Sequence, residues 1–90
     1  MSDNVEDVFV GGKPLPSYLT AGLWAINKVG SVRYLGRGTN IKTTVDVAEI
    51  LKRQLNKPQV DIAIGSEDFE DRKISTIEIT ISGSKKEKEK

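Results

Sequence analysis

Residues Gly36-Arg37-Gly38-Thr39-Asn40-Ile41-Lys42 set an arginine between two glycines and follow it with a lysine. Glycines let backbone amides come close to a ligand. If a helix begins here, its unpaired N–H groups and the positive end of its dipole favour an anion. Arg37 and Lys42 add mobile positive charge. A second cluster, Gly11-Gly12-Lys13-Pro14, is a tight turn carrying another lysine. Together these residues have the chemistry of a phosphate-binding corner, and the backbone of a nucleic acid is the expected ligand.

Other chemistries are poorly supplied. The 90 residues contain no histidine and no cysteine, which removes the commonest general base, the thiolate nucleophile, disulfides and cysteine-based zinc sites. No pair of carboxylates is spaced for acid–base work, so no enzyme and no cofactor are expected. No apolar run approaches the roughly 18 residues that span a bilayer, and Met1-Ser2-Asp3-Asn4 lacks a signal pattern. A soluble, cytoplasmic protein is expected, with no membrane partner.

The elements that must position the corner can be read from periodicity. Val5 to Val10 alternates as a first strand, with Val8 and Val10 on one face and Phe9 on the other. Leu15 to Val29 has Leu15, Leu19, Gly22, Leu23, Ile26 and Val29 at helical spacing, with Gly30 placed to end the helix. Ser31 to Arg37 is a second strand. A second helix is expected from about Ile41 to Asn56, capped by Thr39 or Asn40. Its expected buried stripe is Ile41, Val45, Ala48, Leu51 and Leu55, with Glu49 and Arg53 as a helical ion pair and Lys57-Pro58 as the stop. Val60 to Ile64 and Lys73 to Ile81 complete the strands, around a polar, acidic hairpin tip from Gly65 to Arg72. The order β-α-β-α-β-β and right-handed crossovers imply an α/β (α+β) two-layer sandwich, with two helices on one face of a four-stranded mixed sheet. Residues 1–4 read as a loose start, 5–81 as the domain, and 82–90 as a charged, disordered tail.

The formal net charge of +1 is unevenly spread. Residues 1–10 carry three acids and no base. Residues 11–59 carry eight bases against Asp46 and Glu49, whereas residues 60–81 carry six acids against Arg72 and Lys73. A basic middle flanked by acidic segments points to one surface that faces a polyanion.

The spaced run Val10-Gly11-Gly12-Lys13-Pro14, Tyr18, Gly36-Arg37-Gly38-Thr39-Asn40-Ile41-Lys42, Val45-Asp46-Val47-Ala48-Glu49-Ile50 and Ile74-Ser75-Thr76-Ile77-Glu78-Ile79 resembles the archaeal Alba proteins over roughly residues 5 to 81. That family's fold, shared with the C-terminal domain of bacterial translation initiation factor 3, matches the order just read. The resemblance implies a non-enzymatic, homodimeric chromatin protein, associated with the chromosome, that binds double-stranded DNA and also RNA with little sequence preference. It places the strand-to-helix loop and the lysine turn on the backbone and sends a hairpin arm towards the minor groove. Three departures stand out: Gly12-Lys13 replaces a lysine pair, Thr39 replaces a second arginine, and the chain is less basic than the family. They make RNA, or a heterodimer with a more basic paralogue, more plausible partners than for the family at large.

Under this resemblance the nucleic-acid-binding candidates are Lys13, Tyr18, Arg37, Gly38, Asn40, Lys42, Arg72 and Lys73, and Leu55 is the candidate dimer–dimer contact. Each also has an ordinary reading: Lys13 as a surface lysine, Tyr18 as half-buried helix packing, Arg37 and Lys42 as solvated charges, Asn40 as a cap, Leu55 as core. Trp24 reads as core or subunit contact. Glu67, Asp68, Glu70 and Asp71 surround the arm's cations, repel phosphate and fit no EF-hand spacing. Phe69, among them, has no core role and could touch a sugar or a neighbouring dimer. The alternatives are a ribonucleoprotein component and a protein–protein adaptor dimer with little affinity for nucleic acid.

Overall fold

The computed structural model describes residues 5–85. Strand β1 (Glu6–Phe9) leads through helix α1 (Leu15–Val29) to β2 (Ser31–Arg37). A 3-10 turn over Gly38–Asn40 then opens α2 (Ile41–Arg53), which is followed by β3 (Leu55–Phe69) and β4 (Arg72–Lys85). The sheet order is β1-β2-β4-β3, with β1 parallel to β2 and the other neighbours antiparallel. In register, Val32, Tyr34, Ile77, Ile79 and Ile81 share one face, and both helices pack on it. The other face carries no helix. This is the two-layer α+β arrangement expected from the sequence.

The first half follows the sequence reading closely. α1 and β2 fall on the expected residues, and Gly30 ends α1 at φ 88°, its N–H donating to Ala25 and Ile26 carbonyls. The second helix differs. It stops at Arg53 rather than Asn56, and its buried stripe is Thr44, Val47, Ala48 and Leu51, with Val45 turned outward. Thr44 can lie on this stripe because its hydroxyl is satisfied internally, donating to the Asn40 carbonyl at 2.8 Å. Glu49 pairs with Lys52 instead of Arg53. Leu55 is the first residue of β3, since a single apolar residue four places after Leu51 fits a helix or a strand equally well. Lys57-Pro58 does not end the helix but forms a bulge, with Lys57 at φ 51°.

The largest departure is the hairpin. β3 and β4 extend far beyond 60–64 and 73–81, pairing without interruption from Gln59↔Ser82 to Phe69↔Arg72. The loop expected from Gly65 to Arg72 shrinks to Glu70-Asp71, with Glu70 at φ 56°, as two-residue hairpin turns require. The expected tail also starts later: Ser82 to Lys85 continue β4, Lys85 pairing with Leu55. The remainder of that tail, 86–90, and the expected loose start, 1–4, lie outside the described residues.

Candidate phosphate-binding surface

Parallel pairing of β1 and β2 brings their C-terminal ends side by side. The Gly11–Pro14 turn and the Gly38–Asn40 turn therefore emerge at the same end of the sheet. β3 runs in the direction of β2, both being antiparallel to β4, so the hairpin tip projects past that end too. This topology brings together Lys13, Arg37, Gly38, Asn40, Lys42, Arg72 and Lys73.

Tyr18 has a different role from the one expected. It is only 5% exposed, and its phenolic oxygen accepts hydrogen bonds from the Gly11 and Lys13 amides at 2.8 and 2.9 Å. It therefore holds the turn, and little of its surface is left to meet a ligand. The fixation extends inward: Tyr34 Oη donates to the Tyr18 carbonyl at 2.8 Å, and burial pushes the Tyr34 phenol well above its usual pKa. Gly22 makes room for this contact, since a Cβ there would lie 1.8 Å from Tyr34 Oη. Neither Tyr34 nor Gly22 was singled out from the sequence as part of the site. The available signal was a glycine in mid-helix, a position that disfavours the helix by roughly 1 kcal/mol relative to alanine and so asks for a packing reason.

At the second turn Gly36 is buried, and a Cβ there would meet Thr44 Oγ1 at 1.9 Å, so α2 begins in direct contact with β2. Gly38 takes φ 58°, which a side chain rarely adopts. Asn40 occupies the cap position of α2 but makes no side-chain cap bond, contrary to the capping expectation. The opening amides of α2 thus lack a side-chain acceptor from Asn40, which suits an incoming anion.

The cations around these turns are exposed, and three of them are paired. Arg37 Nη1 lies 2.5 Å from Glu67 Oε1 on the arm, Lys42 Nζ 2.8 Å from Asp46, and Lys73 Nζ 3.1 Å from Asp68. The hydrogen bond to Asp46, with its charge, raises the Lys42 pKa. Among the described residues Lys13 and Arg72 have no ion-pair partner. Exposed pairs of this kind are worth about 0–1 kcal/mol, so a phosphate can replace the carboxylate at little expense. Sequence separation hid the Arg37–Glu67 pair, which only the long hairpin register creates.

Other candidates lie elsewhere. Leu55 is 2% exposed within the core and, in this conformation, is not available as a dimer–dimer contact. Trp24 is not core: it is exposed on α1, with Lys28 Nζ 4.6 Å from its ring centroid. Phe69 is exposed beside the hairpin turn. Among the described residues no cluster of three or more acidic, histidine or cysteine side chains is arranged to hold a metal, and no helix is long and apolar enough to cross a membrane.

A family model described as Alba matches residues 6–64. Curated relatives include the DNA/RNA-binding protein Alba of Nitrosopumilus maritimus, 38% identical, with 90% of this chain and 95% of the relative covered. Another is the DNA/RNA-binding protein Alba 1 of Archaeoglobus fulgidus, 39% identical over 88% of this chain and 79% of the relative. Among solved structures, Alba from Thermoplasma volcanium superposes with a TM-score of 0.70 at 28% identity, covering 86% of this chain and 99% of that one. ALBA1 from Trypanosoma brucei, at 20% identity, shares the fold with a TM-score of 0.76 over 88% of this chain and 69% of that one.

Proposed function

This chain belongs to the Alba family, and on that premise we propose that it is a non-enzymatic, dimeric protein that binds double-stranded DNA and RNA with little sequence preference and coats or compacts an archaeal chromosome. The observation that carries this reading is the convergence, at one end of the sheet, of two glycine-shaped turns and of an acidic arm that carries two cations, Arg72 and Lys73, beside its tip. Lys13, Arg37 and Lys42 line the turns, and Arg72 and Lys73 sit at the arm's end. Phosphate contacts of this sort fix position without reading sequence. The names of the relatives support a nucleic acid as the ligand. The proposed setting is cytoplasmic and chromosome-associated.

Dimerisation is supported by an apolar stripe on the helix-side face of β3. Ile62 and Ile64 pair with the buried Ile79 and Ile77, yet are themselves exposed, Ile64 by 79%. They extend the core's row past the helices, and a second subunit, identical or a more basic paralogue, would cover them.

The test is fluorescence anisotropy with a short DNA duplex and a matched RNA hairpin over a range of salt. For a duplex, log K should fall linearly with log salt at about 0.9 per phosphate neutralised. Arg37→Ala should weaken binding equally for unrelated sequences. Preference for the RNA would favour a ribonucleoprotein role, a second reading motivated by Gly12-Lys13 in place of a lysine pair and Thr39 in place of an arginine. Absence of binding to either at low salt would leave an adaptor dimer.

A further inference from the structure

On the helix-free face of the sheet, a cavity of about 480 Å³ opens beside Arg37. Phe9, Leu35 and Glu78 form one row across three strands, since Phe9 pairs with Leu35 and Leu35 with Glu78. Two strand spacings separate the ends of that row, roughly 10 Å. Arg37 is two residues beyond Leu35 on the same face, roughly 7 Å along the strand. Asn40 and Glu67 close that end of the cavity. Phe9 is 72% exposed, and nothing in the described chain covers it.

We propose that this cavity binds a single unpaired guanine nucleotide of a nucleic acid, its base stacked on Phe9 and its phosphate on Arg37. An exposed aromatic ring next to a guanidinium is a stacking platform for a base attached to a phosphate. Bases in a duplex keep their faces covered by their neighbours, so the base that enters must be unpaired. The Glu78 carboxylate selects among bases. It only accepts hydrogen bonds, and guanine alone presents two adjacent donors, N1–H and N2–H, on its pairing edge. Adenine, cytosine and uracil each set an acceptor beside their donor. Phosphate entering this end takes Arg37 from Glu67, whose carboxylate stays in the wall of the cavity. The inference rests on the proposed nucleic-acid binding for how the base is delivered, but the cavity's affinity for a nucleotide can be measured alone.

The first measurement is an NMR titration of labelled protein with guanosine 5′-monophosphate, adenosine 5′-monophosphate and inorganic phosphate. The guanine nucleotide should move the Phe9 ring and Leu35 methyl signals saturably, at concentrations where the other two leave them in place. Phe9→Ala should abolish the response, and Glu78→Gln should abolish the preference over adenine. Both side chains are exposed, and an unchanged amide spectrum will show that each variant folds. Equal shifts from inorganic phosphate, or none from the guanine nucleotide, overturn the proposal. The second measurement compares an RNA duplex with the same duplex carrying one bulged guanosine. Wild type should bind the bulged form at least about fivefold tighter, the low end of measured stacking contributions. Phe9→Ala should bind both forms equally, and a wild type indifferent to the bulge overturns the proposal. If neither duplex binds at low salt, the function proposed above fails, while the nucleotide titration still decides the cavity.

Discussion

Around the Gly11–Pro14 and Gly38–Asn40 turns the backbone is tied to buried groups, whereas on the β3–β4 arm every side chain from 61 to 73 is exposed. The turns hang on Tyr18, Tyr34 and Thr44, each with its hydroxyl hydrogen-bonded. The arm is held by its backbone ladder and by exposed ion pairs such as Lys73–Asp68. The turns are therefore preorganised and lose little entropy on meeting a ligand. The arm, with few packed contacts, is held less firmly and would lose more freedom on meeting a ligand. Mutations of the buried groups that hold the turns should disturb stability and binding together, and those of exposed charges, at the turns or on the arm, should change binding alone.

The largest expected effect breaks the fixed side of this contrast. Gly22→Ala would drive a methyl into Tyr34 Oη and should destabilise the fold by about 2–3 kcal/mol, read from urea unfolding. A neutral result would show that the tyrosines do not hold the turn. Next comes Tyr18→Phe, which removes the acceptor for two amides and should cost about 1–3 kcal/mol. Hydrogen exchange at Gly11 and Lys13 should accelerate in this variant, and duplex affinity should fall with the loss of the turn's fixed shape. Unchanged exchange would put the turn's rigidity elsewhere.

Smaller effects sharpen the contrast. Arg37→Ala should reduce the slope of log K against log salt by about one, while its stability should stay within about 0.5 kcal/mol of wild type. Glu67→Gln should do the reverse, tightening duplex binding a few-fold by freeing Arg37 from its partner on the arm. Its unfolding curve should superpose on that of wild type. An affinity equal to wild type would mean that Glu67 does not compete with phosphate.

Legibility in the sequence followed the same division. The turns were readable because glycine and proline mark them at fixed offsets from strongly periodic segments, and α1 and β2 fell where that punctuation placed them. What periodicity could not reveal was the job of a hydroxyl. Tyr18 sits at a helix position that packs with or without its oxygen, and only the position of the Gly11 and Lys13 amides shows what the oxygen does. The arm was opaque for another reason. Gly65-Ser66-Glu67-Asp68 has the composition of a loop, and its strand conformation comes from partners on β4 rather than from its own preferences. Leu55 fitted the helical repeat, and the strand that claims it begins where that repeat still holds.

The sheet order β1-β2-β4-β3 has a consequence for biosynthesis. The strand that lies between β2 and β3 follows both of them in the chain. As the polypeptide leaves the ribosome, Val32 and Tyr34 emerge long before Ile77, Ile79 and Ile81, the side chains that complete their face. Until those isoleucines appear, β2 and β3 have no shared neighbour and the helices cover half a layer. Folding is therefore closed by a late, non-local insertion, the kind of step that slows folding and leaves apolar surface open to chaperones and proteases. A nascent chain halted before Ile77 would be a target for degradation rather than a partly working domain.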